Sequence, residues 1–403
     1  MKKLWNRDYI LLLQGSVVST IGDLMYSVAI GYWVYEKTGS SGLMGIMSAI
    51  SMFVTMFLSP FSGSIVDKLD RKRVMVGMDV LQGIIMLAVG ILAYTDKLGV
   101  PGVLIAAFLA ALGTVFYNPA VSTLMIDLIP HDDMVRGQSI FSGAMGLIQT
   151  VGSAFSGVMV AFFGVPLIIV INGLSNLYSA LSELFIRVPR TVQQGESVSP
   201  RGLLRDMGTA VKTIFADKCL RIFVPFALIV NLLGAGPLTL ALPFCMEKGF
   251  TVDMYGYIIS IYTVGALVGV LLLGILKLKP VTRFWVMALG FSCSVVFFIL
   301  TWLGRSFIAV GVFAFLAACL NSIGNSVFNA SLMLALPEEN RGAILGFVQS
   351  CSTGGSAVSA VLYGLLGDVF PLYLVFTVGT AISLAPMLYL CFHPETKRFI
   401  KEH

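Results

Sequence analysis

One aspartate stands alone deep inside an apolar run. Asp23 lies on a predicted helix, about 20 Å along it from Tyr9 at 1.5 Å per residue. If that run crosses a bilayer, an acid at this depth costs roughly 2.5–3.5 kcal/mol on insertion scales. It is therefore expected to face a cavity and not lipid. Two chemistries fit it: a proton carrier in a desolvated site, or a counter-ion for a cationic substrate. The alternative is a structural acid hydrogen-bonded to neighbouring helices. Amides form the second set. Asn321, Asn325 and Asn329 recur every fourth residue, which puts them on one helix face a turn apart. With Asn118 and Asn231 they can either hydrogen-bond a ligand or hold helices together, a contact worth about 0.6 kcal/mol in membranes. Asp79, Asp127 and Glu183 are expected near helix ends beside basic loops, solvated or paired with those bases. Methionines (Met44, Met47, Met52, Met56) and aromatics (Tyr26, Phe116, Tyr117, Phe244, Tyr262, Phe328) suit a site that tolerates many ligands, although packing or lipid contact explains most such residues equally well.

A compact charged loop follows the second apolar run: Gly63-Ser64-Ile65-Val66-Asp67-Lys68-Leu69-Asp70-Arg71-Lys72-Arg73. Gly63 is expected to let helices approach closely. Asp67 ends a helix beside Lys68, Arg71, Lys72 and Arg73, so an ion-pair cluster at the membrane rim can latch one conformation and release it in another. The competing reading is that the bases only anchor topology.

The elements that must position these residues follow from composition. The chain has 403 residues, 57% hydrophobic and only 12% charged. Soluble domains carry about 25% charged residues, so too little charge is present to cover an aqueous surface. The apolar runs are long and continuous, as spanning helices require and barrel strands do not. Twelve spans are predicted, at about Tyr9–Tyr35, Leu43–Val66, Val74–Tyr94, Val103–Met125, Ser139–Phe163, Pro166–Val188, Ile222–Met246, Tyr255–Leu276, Val281–Leu303, Ile308–Leu334, Ala343–Leu366 and Pro371–Phe392. The organisation expected is a six-helix half over 1–188, a cytoplasmic linker over 189–221 carrying a surface-lying helix, and a second six-helix half over 222–403. The run after Met1-Lys2-Lys3 is too long for a signal peptide and reads as the first permanent span. Twelve spans place 22 of the 26 Lys and Arg residues on one side, leaving Lys37, Lys97, Lys248 and Arg305 opposite. Such asymmetry marks the termini and linker as cytoplasmic.

The two halves also repeat. Ala107-Phe108-Leu109-Ala110-Ala111 matches Ala314-Phe315-Leu316-Ala317-Ala318; without a gap, Asn118 then falls on Asn325 and Pro130 on Pro337. Arg136-Gly137 meets Arg341-Gly342 after a two-residue deletion, and Gly152-Ser153-Ala154 meets Gly355-Ser356-Ala357. Parallel repeats related by an axis along the membrane normal are one plan of secondary transporters.

The loop from Gly63 to Arg73 resembles the G-x-x-x-D-R/K-x-G/D-R/K-R/K motif of major facilitator transporters at every defined position, and the resemblance covers nearly the whole chain. More narrowly the sequence is similar to macrolide-efflux drug exporters, on Ser19-Thr20-Ile21-Gly22-Asp23, Lys37-Thr38-Gly39-Ser40 and Gly113-Thr114-Val115-Phe116-Tyr117-Asn118-Pro119-Ala120. The resemblance implies an all-α membrane protein of two pseudo-symmetric six-helix halves. It also implies export of hydrophobic compounds, usually driven by proton entry, with the halves rocking to expose a mid-membrane cavity to each side in turn. Tyr26, Asn118, Gln149, Asn231, Asn321 and Asn325 would lie at that cavity, Asp23 would couple protons or bind substrate, and Gly63, Asp67, Arg71, Lys72 and Arg73 would gate. Two positions depart from the pattern: Ala110 replaces an arginine frequent in related exporters, and Ser153 stands where helix 5 usually has proline.

The expected partners are a hydrophobic small molecule, protons and the lipid bilayer of the cell membrane, with a monomer as the default. Nucleic acid is not expected, because the bases sit in topology-setting loops. Neither an enzyme nor a cofactor or metal site is expected: His131, His393 and His403 lie outside the spans, no nucleotide loop or hydrolase motif occurs, and Cys219, Cys245, Cys293, Cys319, Cys351 and Cys391 form no CxxC. A dedicated siderophore or lysolipid exporter is the alternative reading, and a non-transporting receptor or scaffold a third.

Overall fold

The structure is a computed structural model, and it describes residues 4–67, 69–130, 133–187, 220–275, 280–335 and 341–392. Within them all regular structure is helical. The first six helices are α1 (Arg7–Thr38), α2 (Ser41–Asp67), α3 (Arg71–Tyr94), α4 (Val100–Leu128), α5 (Met134–Phe163) and α6 (Val165–Leu184). After them come α7 (Leu220–Thr239), α8 (Ala241–Glu247), α9 (Val252–Ile275), α10 (Pro280–Leu303), α11 (Phe307–Ala335), α12 (Arg341–Gly367), α13 (Leu372–Ile382) and α14 (Leu384–Phe392). The run predicted over Ile222–Met246 is thus a bent pair, α7 and α8, and the last run is α13 and α14. Nine described helices are long and apolar enough to cross a membrane, or eleven when two bent pairs are each taken as one span. The remaining long helix is α12, whose 27 residues reach across a bilayer but carry Gln349, Ser350, Ser352, Thr353, Ser356 and Ser359. The amphipathic stretch expected over 203–215 lies outside the described residues.

The chain divides into two compact units, Met1–Gly39 with Ile50–Pro200, and Ser40–Ala49 with Arg201–His403. The internal packing of each follows one scheme. In the first, α1 lies against α5 and α6, and α3 against α4 and α6. In the second, α7 lies against α12 and α14, and α10 against α11, α13 and α14. The start of α2 belongs to the second unit, where Asp368 accepts hydrogen bonds from the Ser41 hydroxyl and the Gly42 amide, both at 3.0 Å. Gly39 makes that division sterically easy: it ends α1 in the left-handed region, at φ 65°, which a residue with a Cβ enters only at a cost.

Small residues set the helix spacing. A Cβ on Gly83 of α3 would lie 2.7 Å from Leu177 and 3.1 Å from the Gly173 carbonyl of α6, so the two backbones nearly touch there. Gly63 does not do this: a Cβ there would meet nothing within 4 Å, which corrects its expected role in close approach. The bend between α7 and α8 is 48° and has a local cause. Pro237 has no N–H to give the Leu233 carbonyl, and Tyr363 of α12 donates its hydroxyl to that carbonyl at 2.7 Å. One residue earlier the Gly236 amide donates to Ser359 Oγ at 2.8 Å. Trp302, near the end of α10, is buried: its ring meets Phe244 and Phe376 at 5.1 Å each, and its Nε1 donates to Thr380 Oγ1 at 3.0 Å. Trp5 and Trp285 are exposed.

Candidate functional site

The clearest recess in the second unit is a cavity of about 420 Å³ lined by residues of α7, α9, α10, α11, α12, α13 and α14. Its polar lining includes Asn231, Asn321, Asn325, Asn329, Gln349 and Ser352, and its apolar lining includes Phe226, Tyr262, Phe291, Phe298 and Phe328. The 3.6-residue period explains the grouping, since three asparagines one turn apart on α11 form a ladder. Asn325 Nδ2 donates to Asn321 Oδ1 at 2.8 Å, which leaves the Asn325 side-chain oxygen as an acceptor outside that bond. Behind the amides lies a phenylalanine cluster, with Phe226, Phe291 and Phe328 mutually 5.9–6.5 Å apart. The structure therefore brings Asn231, Asn321 and Asn325 together, adds Asn329, Gln349, Tyr262 and Phe328, and leaves Phe244 out, packed against Trp302. A cavity this size and lining is suited to a drug-sized molecule, held by apolar contact and oriented by a few amides.

The other candidates belong to the first unit. Asp23 is near the middle of α1, and its side chain is exposed. The adjacent Gly22 is buried on α6, where a Cβ would meet Asn172 and Ser175, so the helix turns Asp23 away from that close contact. One long hydrogen bond, 3.5 Å from Asn176 Nδ2 to Asp23 Oδ1, links it to α6. Asn176 also donates to Asn172 Oδ1 at 2.9 Å. Tyr26, three residues on, is half-buried with a hydroxyl that has no hydrogen-bond partner. Asn118 on α4 and Gln149 on α5 have exposed side chains. Their backbone carbonyls accept from Ser122 and Ser153 one turn later.

In the charged loop, Arg71 Nη1 pairs with Asp127 Oδ2 at 2.8 Å, so α3 is tied to the end of α4. Asp127 is thus paired with a base, as its position suggested. Lys72 donates to the carbonyls of Leu184 and Ile186 at 2.8 Å each, closing the C-terminus of α6 where a cation is favourable. Asp70 caps α3 through the Arg73 amide at 3.2 Å and pairs with the Arg73 side chain at 3.4 Å. The Asp67 side chain lies outside the described residues.

Asp79 and Glu183 are a correction. Neither is solvated, and among the described residues neither pairs with a base: they are 2% and 0% exposed, where α3 and α6 pack. Their depth along the helix suggested the rim, but the face on which they lie turns them inward. The signal that would have found them is on α6, where Asn172, Asn176, Ser179 and Glu183 recur at spacings of four, three and four, one helix face of polar residues in an apolar run. Among the described residues no cluster of three or more metal-ligating side chains occurs.

The sequence profile of the Major Facilitator Superfamily matches residues 12–235 and 224–402. Macrolide efflux protein A of Streptococcus pyogenes is 25% identical over 214 residues, 53% of this chain and 53% of that protein, so the chain spans about half the length of that relative. The multidrug efflux pump Tap of Mycobacterium tuberculosis is 22% identical over 376 residues, 91% of this chain and 88% of the pump. A putative bacilysin exporter, BacE of Bacillus amyloliquefaciens, is 30% identical over 196 residues, 46% of each chain. Two solved structures share the fold. A bacterial homologue of the human lysosomal transporter Spinster, inward-facing and unoccupied, gives a TM-score of 0.72 at 14% identity, covering 100% of this chain and 97% of that one. The nucleoside transporter NupG gives 0.73 at 12% identity, covering 94% and 97%.

Proposed function

The chain belongs to the major facilitator superfamily, and from that premise we propose that it exports hydrophobic, drug-like small molecules across the cell membrane by alternating access, with protons moving the other way. The observation that carries the reading is the amide and aromatic lining of the 420 Å³ cavity in the second unit. Ligand pockets run to about 300–1,000 Å³ and combine apolar walls with few polar groups. Phenylalanine faces bind many ligands without fixing one, and the Asn321–Asn325 pair orients whichever ligand offers a donor. Asn231 serves the same recess, and Tyr26, Asn118 and Gln149 offer polar groups on the first unit. Asp23 is the proposed coupling residue or counter-ion: an exposed carboxyl midway along a spanning helix is tolerated only where it meets water, substrate or protons. Arg71, Lys72, Arg73 and Asp67, with Gly63 before them, make the proposed gate, and the surplus of bases on one side supports a cytoplasmic position for both termini. The efflux activities named for the relatives support export over uptake.

The test is uptake into inverted membrane vesicles of erythromycin, ethidium and a neutral hydrophobic drug, by wild type and Asp23→Asn, with and without an acid-inside pH gradient. Gradient-driven uptake of several compounds, lost in Asp23→Asn, is the expected result. Absence of uptake of every compound by well-folded protein would turn the reading to a dedicated exporter. The stretch similar to a putative bacilysin exporter favours that second reading, and a narrow response in the same assay distinguishes it.

A further inference from the structure

Helices α1, α3, α4 and α6 of the first unit enclose two carboxyl groups that the proposed transport site does not use. Glu183 Oε1 accepts from the Tyr117 hydroxyl at 2.9 Å and from Ser179 Oγ at 3.3 Å. Ser179 also lies against the Asp79 carboxyl, and the two carboxyls are close enough to feel each other's charge. On each acid one oxygen, Glu183 Oε2 and Asp79 Oδ2, is buried without any hydrogen-bond partner. The groups that face the pair are, from α1, Ser16, within 3.3 Å of the Tyr117 hydroxyl, and Asp23 further along. Tyr117 comes from α4, and Ser179 from α6. The bases of the loop before α3 are engaged elsewhere: Arg71 with Asp127, Lys72 with the α6 carbonyls and Arg73 with Asp70. Among the described residues no basic side chain pairs with either acid.

Two ionised carboxylates cannot share such a place. Each would lose its hydration, at a cost of several kcal/mol after relaxation, and each would repel the other. A proton removes one charge and turns a bare acceptor oxygen into an O–H donor. We propose that Asp79 and Glu183 form a proton-binding site in which one proton is held by the pair and exchanged during transport. The step is a protonation: an O–H bond forms on a carboxylate oxygen as a hydronium ion gives up its proton and becomes water, and the reverse returns it. The site is not isolated. Asn172, Asn176, Ser179 and Glu183 occupy one face of α6, so polar side chains recur turn by turn from the exposed Asp23 carboxyl to the buried pair. The transport role rests on the antiport reading above; the bound proton does not.

The test is infrared spectroscopy of the full-length protein in lipid, titrated with pH in H2O and D2O, for wild type, Asp79→Asn, Glu183→Gln and the double variant. Wild type is expected to show a protonated-carboxyl stretch at neutral pH that shifts in D2O. The stretch should be displaced or weakened in each single variant and absent from the double variant. Absence of the stretch from folded wild type at neutral pH overturns the site, as does its survival unchanged in the double variant. Should the double variant fail to fold, the wild-type isotope shift and the two single variants still decide. The same preparations are then loaded with labelled erythromycin or ethidium under an acid-inside gradient. Accumulation in Glu183→Gln is expected to fall to its no-gradient level. If wild type ignores the gradient while the stretch is present, antiport fails and the proton site stands. If wild type and both single variants respond to the gradient equally, the pair has no part in coupling.

Discussion

The two units pack their helices by one scheme and fill the space between them with different chemistry. Where α1, α3, α4 and α6 of the first unit meet lie Asp79, Gln82, Asn172, Asn176, Ser179 and Glu183, all buried. The equivalent of the α3 and α6 pair in the second unit is α10 with α13 and α14, and there Phe284, Met287, Phe291, Val295 and Met387 are buried instead. No carboxylate or base occurs mid-span among the described residues of the second unit, where the polar groups are amides and hydroxyls at the cavity. A repeated fold therefore does not impose repeated function. Among the described residues, mid-span carboxyls occur in the first unit alone, and the ligand-sized recess described in the second unit is lined by amides, hydroxyls and aromatic rings. The division fits a carrier in which one unit handles protons and the other contributes affinity for apolar compounds.

The sharpest way to break the comparison is to put a charge where the second unit has none. Met287 is 0% exposed within the phenylalanine cluster. Met287→Glu buries a carboxyl among apolar side chains, and the cost is at least the roughly 2.5–3.5 kcal/mol of an acid within a span. Folded protein recovered in fluorescence-detected size exclusion is expected to be lost. Recovery equal to wild type would mean that the second unit accepts charge as the first does.

Phe291→Ala comes next. The ring is 3% exposed, touches Phe226 and Phe328 at 6.4 and 6.5 Å, and fills the groove over Gly324. Truncation leaves a void and costs about 3–5 kcal/mol, read as a fall in thermal midpoint in detergent. Ligand uptake should also fall, because the ring walls the cavity.

Tyr363→Phe sharpens the contrast at intermediate size. In the first unit two of the three orphaned oxygens are carboxyl and can take a proton. The orphan that Pro237 creates in the second unit is a backbone carbonyl, which cannot. Tyr363 is its donor at 2.7 Å, so deleting the hydroxyl leaves a buried acceptor at a cost of about 1–3 kcal/mol. The midpoint is expected to fall by less than for Phe291→Ala. No change at all would mean that water replaces the hydroxyl.

How much of this was legible in the sequence depends on whether depth or direction mattered. Helices, the repeat and Asp23 are matters of depth: a polar residue far inside an apolar run is visible as such. The amide ladder was legible because its spacing of four matches the helix period. Asp79 and Glu183 were misplaced because the distance to the nearest loop says nothing about which face a side chain takes, and Lys72 and Arg187 nearby offered a ready partner. Gly63 was read as a contact from its motif, and contact needs a neighbour that no motif names.

Asn325→Ala has the smallest expected effect on stability and separates binding from packing. If the ladder were helix glue, removing one amide would cost about 0.6 kcal/mol and leave the transported range unchanged. Asn325 is exposed, and its hydrogen bonds run to Asn321 on its own helix, not to a neighbour. Its loss should therefore leave the thermal midpoint within error of wild type while changing the relative uptake of hydrogen-bonding and purely apolar compounds. The same substitution at Asn118, its repeat partner, tests the symmetry directly. If substrate affinity belongs to the second unit, Asn118→Ala changes that selectivity less than Asn325→Ala does. Equal changes would mean that both units bind the ligand, and the asymmetry would then be confined to the proton.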